Sequence, residues 1–533
     1  MTREWWRDAV VYQVYPRSFQ DSNGDGVGDL EGVISRLDYL NDGAETSLGV
    51  DAIWFSPTFP SPMKDFGYDV SDYRGVDPAF GTLETMERLI AECHRRNIRV
   101  LLDWVPNHSS DQHPWFLESR SSRDNTKRDW YFWRPPRPDG SLPNNWRSAF
   151  GGPAWTFDEA TGEYYLHSFL KEQPDLNWRN PEVEAAMHDT LRFWFDRGID
   201  GFRIDVMGGI VKEPNLADNP PNPDWQPGQR GRFLAVNNTN YPDVYEAVKR
   251  IRRVFDEYGG RMAVGEVFGT ARQVADYYGD AASPGLHLAF NFQFIHEHGL
   301  DFTPWEAETL RRIVRNAEAA LPAGAQPCYA LANHDRSRFI TRNNHDGNGL
   351  ARARAATVML LTLRNTPFLY YGEEIGMEDV DIPESQLQDP ARFRTIGRDP
   401  ERTPMHWDTS AGRGFSTGSP WLPYGRVDRN VANAARQPDS LLALTKRAIW
   451  LRKRTPALLE GAYRELPAPP GIFAFERGTA SQTVMVAINT TGDPVTMPLG
   501  RPGTVILSTA LQQEGARCEG SVQVEPFGAV AVL

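Results

Sequence analysis

Charged side chains follow several short β-rich runs of this sequence, at the point where each run ends. Arg203 and Asp205 in "GFRID" are two residues apart, so both point to one face of a strand and the guanidinium group should keep Asp205 ionised. Glu266 in "AVGEVFG" stands among apolar residues, which raise the pKa of a carboxyl group. Cleavage of a bond between two sugars needs a carboxylate beneath the developing oxocarbenium ion and a carboxylic acid that protonates the leaving oxygen. We therefore predict Asp205 as nucleophile and Glu266 as general acid and base.

Other polar residues occupy the same position on neighbouring runs. Asp335, flanked by His334, ends the seventh run and is placed to hold sugar hydroxyl groups. A single acid of this kind is more often a helix cap or a surface charge. Three acids at matching ends, accompanied by an arginine and two histidines, favour catalysis instead. The polar residues at the ends of the runs are Asp103, Asn107, His108, Arg203, Asp205, Glu266, His334 and Asp335.

The runs alternate with helix-periodic stretches. They begin near residues 9, 50, 99, 199, 261, 286, 328 and 366. Before the fourth run, Asn180 is expected to cap a helix that starts at Pro181 and stops at Gly198. Eight strands alternating with helices predict an α/β fold, a (β/α)8 TIM barrel whose chemistry lies at the carboxyl ends of the strands.

Two further units interrupt or follow the predicted barrel. Residues 1–108 and 180–460 form the barrel, and residues 109–179 form a small inserted domain after the third strand. Residues 209–240 are rich in Pro and Asn and predict a lid, while residues 375–430 form a second excursion. From residue 461 to residue 533, short β runs between Gly, Pro and Asp predict an all-β domain.

Composition excludes several classes of partner. The net charge of -13 over 533 residues disfavours nucleic acid and anionic membranes, because both need a cationic surface. The first residues lack the apolar core of a signal peptide, so we expect a cytoplasmic protein. Three widely spaced cysteines predict neither a disulfide framework nor a metal knuckle. The sequence leaves the oligomeric state open between a monomer and a homodimer.

The residues at the strand ends resemble those of a known family. "DWVPNH", "GFRID", "GEVF" and "NHD", in this order, are similar to the four signature segments of the α-amylase family of glycoside hydrolases. "QPDLN" at residues 173–177 resembles the segment typical of its oligo-1,6-glucosidase and α-glucosidase branch. The match extends over the whole chain, with "FGYDVSDY", "YYGEEIG" and "RTPMHWD" adding to it.

The resemblance implies a retaining mechanism with Asp205 as nucleophile, Glu266 as acid and base, and Asp335 as transition-state stabiliser. It implies no organic cofactor, and small oligosaccharides as substrates. The residues implied to line the pocket for the terminal glucose are Asp65, Tyr68, His108, Phe150, Phe169, Gln173, Arg203, His334 and Arg402.

An acidic loop, "DSNGDGVGDLEG" at residues 21–32, follows the first run and imitates a calcium-binding EF-hand loop. The EF-hand pattern needs a glutamate where this chain has Gly32 and a helix where it has a strand, so a calcium sensor is not predicted. Relatives carry a similar loop that binds a structural Ca²⁺ or Mg²⁺. The ligands implied here are Asp21, Asn23, Asp25, the carbonyl group of Val27, and Asp29.

Substrate preference stays open between several members of the family. The predicted function is an exo-acting α-glucosidase on maltose, isomaltose or sucrose-type substrates, with transglycosylation. Val206 after the nucleophile accompanies activity on α-1,6 bonds in this branch, while Gly208 and Gly209 are expected to leave space for several linkages. The alternatives are a trehalose or sucrose isomerase, a glucosyltransferase, and a non-catalytic binding subunit, which the three acids disfavour. Glu373 and Glu374 are interpreted as structural neighbours on a strand.

Overall fold

A closed barrel of eight parallel strands forms the centre of the molecule. The computed structural model describes residues 3–226, 231–298, 301–391 and 397–533. The barrel strands are β1 (Val11–Val14), β2 (Ala52–Phe55), β3 (Arg99–Trp104), β4 (Gly201–Ile204), β5 (Met262–Gly265), β6 (Leu288–Asn291), β7 (Cys328–Ala330) and β8 (Thr366–Tyr370). They neighbour one another in chain order and β8 closes on β1, which confirms the predicted TIM barrel.

The barrel strands are buried on both faces, as parallel strands covered by helices must be. Side chains that point inward, among them Val11, Trp54, Leu101 and Phe290, fill the barrel as a packed core. Those that point outward pack against the surrounding helices. The space available to a ligand therefore lies above the strand ends, outside the barrel interior.

Helices connect the strands. The α-helices span Pro16–Phe19, Leu30–Ser35, Leu37–Leu40, Leu83–Arg95, Pro114–Ser121, Pro181–Phe195, Val244–Asp256, Ala271–Asp276, Ala307–Ala320, Phe339–Arg342, Gly349–Thr362, Val431–Ala434, Leu441–Arg454 and Pro456–Glu460. Short 3-10 helices span Trp5–Arg7, Arg128–Trp130, Met207–Gly209, Phe292–Phe294, Glu373–Ile375, Glu384–Gln386, Asp399–Arg402 and Leu511–Gln513. The predicted helix before β4 begins at Pro181 and is capped by Asn180, whose side chain accepts from the Glu182 N–H group.

A three-stranded antiparallel sheet lies between β3 and β4 in the sequence. Its strands are Trp133–Arg134, Glu163–Leu166 and Trp155–Asp158 in spatial order. The described part of the predicted lid, residues 209–226 and 231–240, has no α-helix or β-strand beyond an isolated bridge. It packs on the inserted segment instead, since Leu216 joins a small core with Trp146 and Trp155. The lid residues 227–230 and residues 392–396 of the second excursion lie outside the described residues.

The C-terminal unit is antiparallel throughout. Its six-stranded sheet has the order Ala462–Glu465, Ile472–Gly478, Thr483–Asn489, Ala529–Val532, Gly503–Ser508 and Arg517–Cys518, beside a two-stranded pair of Val495–Pro498 and Ser521–Val524. Outside the C-terminal unit, a short antiparallel pair between β6 and β7 in the sequence joins His296–His298 to Asp301–Phe302. No helix within the described ranges has the length and apolar character needed to cross a membrane.

The interpretation of Glu373 and Glu374 as strand neighbours was wrong. Strand β8 ends at Tyr370, and both glutamates lie in the 3-10 helix Glu373–Ile375. The Glu374 carboxylate accepts hydrogen bonds from the hydroxyl groups of Tyr12 and Tyr39, at 2.8 and 2.6 Å. Gly372 precedes this 3-10 helix and adopts a positive φ of 80°, a conformation that glycine accepts without strain. The pair is structural, as predicted, but for a different geometric reason.

Candidate active site

Arg203 lies at the centre of the barrel mouth and contacts three carboxylates. Its Nη1 atom is 2.8 Å from Asp103 and 2.6 Å from Asp205, and its Nη2 atom is 2.8 Å from Glu266. All four side chains are buried. They come from the ends of β3, β4 and β5, which neighbour one another in the barrel, so the predicted convergence of strand ends is present.

The ionisation of Asp205 is less simple than the sequence predicted. Burial raises its pKa, Arg203 opposes this, and the charges of Glu266 and Asp103 add to the rise, so that the net shift is upward. Asp103 behaves in the same way, and burial raises its pKa to about 7 despite Arg203. Arg203 therefore holds Asp205 in place but does not by itself secure its charge, because one cation serves three acids.

The predicted apolar environment of Glu266 was wrong. Its carboxylate contacts Arg203 and accepts a hydrogen bond from the Val206 N–H group at 2.9 Å. Val206 directs this N–H group by adopting a left-handed conformation, with φ 42° and ψ 45°. Such a conformation costs a β-branched residue about 1–3 kcal/mol. The strain lies between the two predicted catalytic acids, where it orients a donor toward Glu266.

Asp335 is held by a different pair of cations. Arg398 and Arg402 each donate to its Oδ1 atom, at 3.0 and 2.9 Å. Burial opposes ionisation, but the positive charges of Arg398 and Arg402 outweigh it and hold the pKa of Asp335 well below the usual range. Burial lowers the pKa of His334 itself, so its ring is neutral and the two guanidinium groups provide the positive charge.

A chain of hydrogen bonds connects His334 to Asp103. Gln13 Nε2 lies 2.8 Å from His334 Nδ1, and His334 Nε2 lies 2.5 Å from the Tyr68 hydroxyl group. The Tyr68 hydroxyl group donates onward to Asp103 at 2.9 Å. This direction of donation fits a neutral His334 with its proton on Nε2, so the predicted pocket residues Tyr68 and His334 have fixed orientations.

Asp65 and Arg398 close one side of the mouth. Arg398 donates to Asp65 at 2.6 Å and to Asp389 at 2.8 and 2.9 Å, while Gln173 Nε2 donates to Asp65 at 3.1 Å. Sequence reasoning named Asp65 and Gln173 but missed Arg398 and Asp389. The only signal was their position in the second excursion, because nothing local indicates a partner 333 residues away.

Aromatic rings complete that wall. The rings of Phe150 and Phe169 meet edge to face at 5.7 Å, and the Arg398 guanidinium group lies over Phe150 at 5.2 Å. Phe169 also packs on the ring of His108 at 5.1 Å. His108 Nε2 lies 3.1 Å from the Gln173 side chain. The predicted pocket residues on the inserted segment thus meet those of the barrel.

A buried ion pair that sequence reasoning missed connects the inserted segment to residues 205–212, the loop that follows β4 and is called the nucleophile loop after the predicted role of Asp205. The ammonium group of Lys212 lies 2.8 Å from Asp175 and 2.7 Å from the Asn107 side-chain oxygen. Lys212 also donates to the carbonyl group of Gly209 at 2.5 Å. The available signal was a single lysine in the apolar stretch "MGGIVKEP". Because both charges are fully buried, removing either one would leave the other uncompensated.

Gly208 and Gly209 do not provide open space, which corrects the expectation from sequence. A Cβ atom at Gly208 would lie 2.4 Å from Asn240 Oδ1, and one at Gly209 would lie 2.9 Å from Val206 Cγ1. Both glycines are buried in the 3-10 helix Met207–Gly209. They allow close packing of the nucleophile loop, so they carry no information on linkage.

The carboxylates of the acidic loop at residues 21–29 are hydrogen-bonded mainly to groups of the loop itself. The Asp21 carboxylate accepts from the N–H groups of Asn23, Gly24 and Gly26 and from the Ser416 hydroxyl group, at 2.6 to 3.0 Å. Four donors use all the lone-pair sites of a carboxylate. Within the described ranges, no group of three or more His, Cys, Asp or Glu side chains is arranged to bind a metal ion.

The remaining loop oxygens have fewer donors. Asp25 accepts from the Val27 N–H group and the Asn23 side chain, and Asp29 accepts from Ser22 and from the Gly32 N–H group. Asp29 thereby caps the helix Leu30–Ser35. A cation would meet open lone pairs on Asp25 and would compete with N–H donors for Asp21.

Comparison with known proteins identifies the family. The family model described as the α-amylase catalytic domain matches residues 13–461. The chain belongs to the α-amylase family of glycoside hydrolases. The resemblance found in the signature segments is thus confirmed.

Curated relatives of this α-amylase family enzyme are 35% to 42% identical and are named α-glucosidase or oligo-1,6-glucosidase. An oligo-1,6-glucosidase of Heyndrickxia coagulans is 40% identical over 91% of this chain and 92% of its own length. Among solved structures, the α-glucosyl transfer enzyme XgtA is 38% identical with a TM-score of 0.90, covering 100% of this chain and 99% of its own. The trehalulose synthase MutB of Pseudomonas mesoacidophila MX-45 is 34% identical with a TM-score of 0.91 and full coverage of both chains.

Proposed function

We propose that this enzyme is an exo-acting, retaining α-glucosidase that removes terminal non-reducing glucose from short α-linked oligosaccharides. The observation that carries the proposal is the sharing of one guanidinium group, that of Arg203, by Asp205 and Glu266. This proximity is compatible with the separation of about 5–5.5 Å used by retaining enzymes, whereas inverting enzymes need about 6.5–9.5 Å for an intervening water.

The reaction proceeds in two displacements. Asp205 Oδ attacks the anomeric carbon while Glu266 donates its proton to the leaving oxygen, which gives a covalent glucosyl-enzyme and a free aglycone. Glu266, now a carboxylate, takes a proton from water, whose oxygen displaces Asp205 and releases glucose with its α configuration retained. Asp335, which Arg398 and Arg402 keep ionised, holds sugar hydroxyl groups as the ring distorts.

The exo mode rests on the closed side of the pocket. Asp65, Arg398 and Asp335 form a continuous ionic network across the mouth, and the rings of Phe150 and Phe169 lie beside it. A chain that continued in this direction would meet mutually paired charges, of which Asp65 is buried and Arg398 and Asp335 are partly buried. One terminal glucose is therefore the unit that this side accepts, with Tyr68, His108 and His334 among its contacts.

A second activity, transfer of glucose to a sugar acceptor, is favoured by one observation. Phe268, two residues after Glu266, is 40% exposed, and its ring stacks on that of Phe292 at 5.4 Å. Arg336 is the residue after Asp335, and its guanidinium group lies over the Phe268 ring at 5.9 Å. The ring of His296 also stacks on Phe268 at 5.9 Å, so the exposed part of this side chain is what remains for a ligand. An exposed aromatic surface beside the residues that follow Glu266 and Asp335 suits an acceptor sugar better than water.

The products formed from different disaccharides show which linkage the enzyme cleaves and whether it acts as a glucosidase or as an isomerase. Maltose, isomaltose, sucrose and trehalose are each incubated alone and at high concentration, with Glu266→Gln as the blank. We expect α-glucose as the first product, with oligosaccharide transfer products at high substrate concentration. Rearranged disaccharides with little glucose would support an isomerase instead, and no activity above the blank would contradict the proposal.

A structural Ca²⁺ or Mg²⁺ in the acidic loop and an intracellular location are also proposals. Asn23, Asp25, Asp29 and the Val27 carbonyl group are the oxygen donors that would hold the cation, with Asp21 as a further ligand if it exchanges an N–H donor. Bound there, the cation would supply only positive charge to the turn.

A further inference from the structure

Asn240, the last residue of the lid, joins the loops of both predicted catalytic acids. Its backbone N–H group donates to the carbonyl group of Gly208 at 2.8 Å, three residues after Asp205. Its side-chain Nδ2 donates to the carbonyl group of Phe268 at 3.2 Å, two residues after Glu266. Its side-chain oxygen accepts from the Tyr277 hydroxyl group at 2.6 Å. Asn240 thus uses each of these groups to bridge separate segments.

The backbone of Asn240 is adapted to this bridge. It adopts a positive φ of 53°, a region that asparagine tolerates better than most residues with a side chain. The bridge is also close-packed, since a Cβ atom on Gly208 would lie 2.4 Å from Asn240 Oδ1 and 3.1 Å from the Tyr277 hydroxyl group. The glycine and the asparagine are therefore matched to one another.

The bond to the Phe268 carbonyl group is the one with a consequence for substrates. It holds the backbone of Phe268, whose exposed side-chain surface contacts the incoming sugar in the proposed function. Two residues earlier in the same segment, the Glu266 carboxylate accepts a hydrogen bond from the Val206 N–H group of the nucleophile loop. Asn240 and Glu266 thus connect the same pair of loops through separate bonds, and the Met207 N–H group also donates to the Glu266 carbonyl group at 3.1 Å.

We propose that Asn240 is a positioning residue that sets how well this enzyme transfers glucose to sugars rather than to water. The inference rests on the proposed function, because it assumes a glucosyl-enzyme that sugar and water compete to resolve. Loss of the Asn240 bonds would let the Phe268 segment shift away from the acceptor side. The glycone side, built on Asp65, Arg398 and Asp335, would keep its geometry.

The test separates the side-chain bonds of Asn240 from its backbone conformation. Asn240→Gly keeps the positive φ without strain and removes both side-chain bonds, while Asn240→Asp keeps an acceptor for Tyr277 and loses the donor to Phe268. Tyr277→Phe removes only the hydroxyl group and serves if an Asn240 variant does not fold. Asn237→Ala is the matched control, because Asn237 lies in the same lid and donates to Ala217 and Asp218.

The donor is p-nitrophenyl α-glucoside and the acceptor is maltose. Nitrophenol release measures formation of the glucosyl-enzyme, and the ratio of transfer product to free glucose measures its fate. For Asn240→Gly and Asn240→Asp, we expect this ratio to fall at least threefold while kcat/KM for nitrophenol release stays within twofold of wild type. Tyr277→Phe should lower the ratio less, and Asn237→Ala should leave it unchanged.

Two results would overturn the inference. An unchanged ratio in both Asn240 variants would show that the bridge does not govern the acceptor side. A parallel loss of kcat/KM would show that Asn240 supports catalysis or folding in general. A wild-type enzyme that releases no nitrophenol at all would contradict the proposed function itself, and this inference with it.

Discussion

Two acidic regions of the molecule balance their carboxylates with different donors. In the loop at residues 21–29, Asp21 accepts from N–H groups two, three and five residues further along the chain. In the active-site mouth, Arg203 reaches Asp103, which is 100 residues away, and Arg398 reaches Asp65, which is 333 residues away. The donors of the first region come mainly from its own turn, whereas those of the second region are brought together by the tertiary fold.

The difference follows from what each region has to do. Backbone N–H groups carry no net charge, so a turn that uses them keeps its negative charge and remains attractive to a cation. Guanidinium groups bring full positive charge into a buried site, where they hold several acids together and alter their proton affinities. A site for bond cleavage needs such altered carboxyl groups, whereas a structural turn does not.

The sharpest difference between the regions should appear in turnover. Asp205→Asn removes the nucleophile while keeping its size, and we expect kcat to fall by about 10⁴-fold or more. The free energy of unfolding should change little, because the amide still bonds to Arg203. Steady-state hydrolysis of an aryl α-glucoside and thermal unfolding measure the two effects. A variant that keeps full activity would remove Asp205 from the mechanism.

Arg398→Ala should have the next largest effect, on stability. It leaves Asp65 and Asp389 without their cation and Asp335 with Arg402 alone. We expect the free energy of unfolding to fall by about 3–5 kcal/mol at neutral pH. The loss should shrink as the pH falls, because protonated acids no longer repel one another. Urea unfolding at several pH values measures it.

Arg398→Lys is the matched control for that network. A single ammonium group cannot span three carboxylates as a guanidinium fork does, so we expect part of the loss to remain. Equal stability of the lysine and wild-type proteins would show that charge alone matters. A loss in Arg398→Ala that grows toward acid pH would contradict the proposed repulsion between the acids.

Asp103→Asn should shift the pH dependence of activity. The charge of Asp103 raises the pKa of Asp205, so its removal lowers that pKa and more Asp205 is ionised at a given pH. We expect the acidic limb of the kcat/KM profile to move toward lower pH. Asp139→Asn, at an exposed position, is the control. Movement toward higher pH would contradict the inference that the charge of Asp103 raises the pKa of Asp205.

Asp25→Ala should have the smallest effect and should spare the chemistry. It removes the acceptor for the Val27 N–H group, worth about 1 kcal/mol, and a proposed cation ligand. We expect a slightly lower Tm and an unchanged kcat/KM. If the loop binds Ca²⁺, added Ca²⁺ should raise the Tm of wild type but not of the variant. An equal rise in both proteins would place the cation elsewhere.

The barrel could be predicted because its signals are local and repeated. Each strand is a short and mostly apolar run, and the helix Pro181–Phe195 carries its own cap at Asn180. The predicted partners of Arg203 were incomplete for the opposite reason. Whether its guanidinium group also reaches Glu266 depends on how β4 and β5 pair, which no spacing within "GFRID" encodes.

By itself, the sequence determined the order of the strands, the ends at which acids gather and the signature segments of the family, since each of these is written within a few neighbouring residues. The tertiary structure alone decided that Arg398 joins Asp65 to Asp335, that Lys212 pairs with Asp175, and that Val206 turns its N–H group toward Glu266. These contacts join segments that are far apart in the chain, and only burial, which makes an unpaired charge costly, selects the partner each one finds.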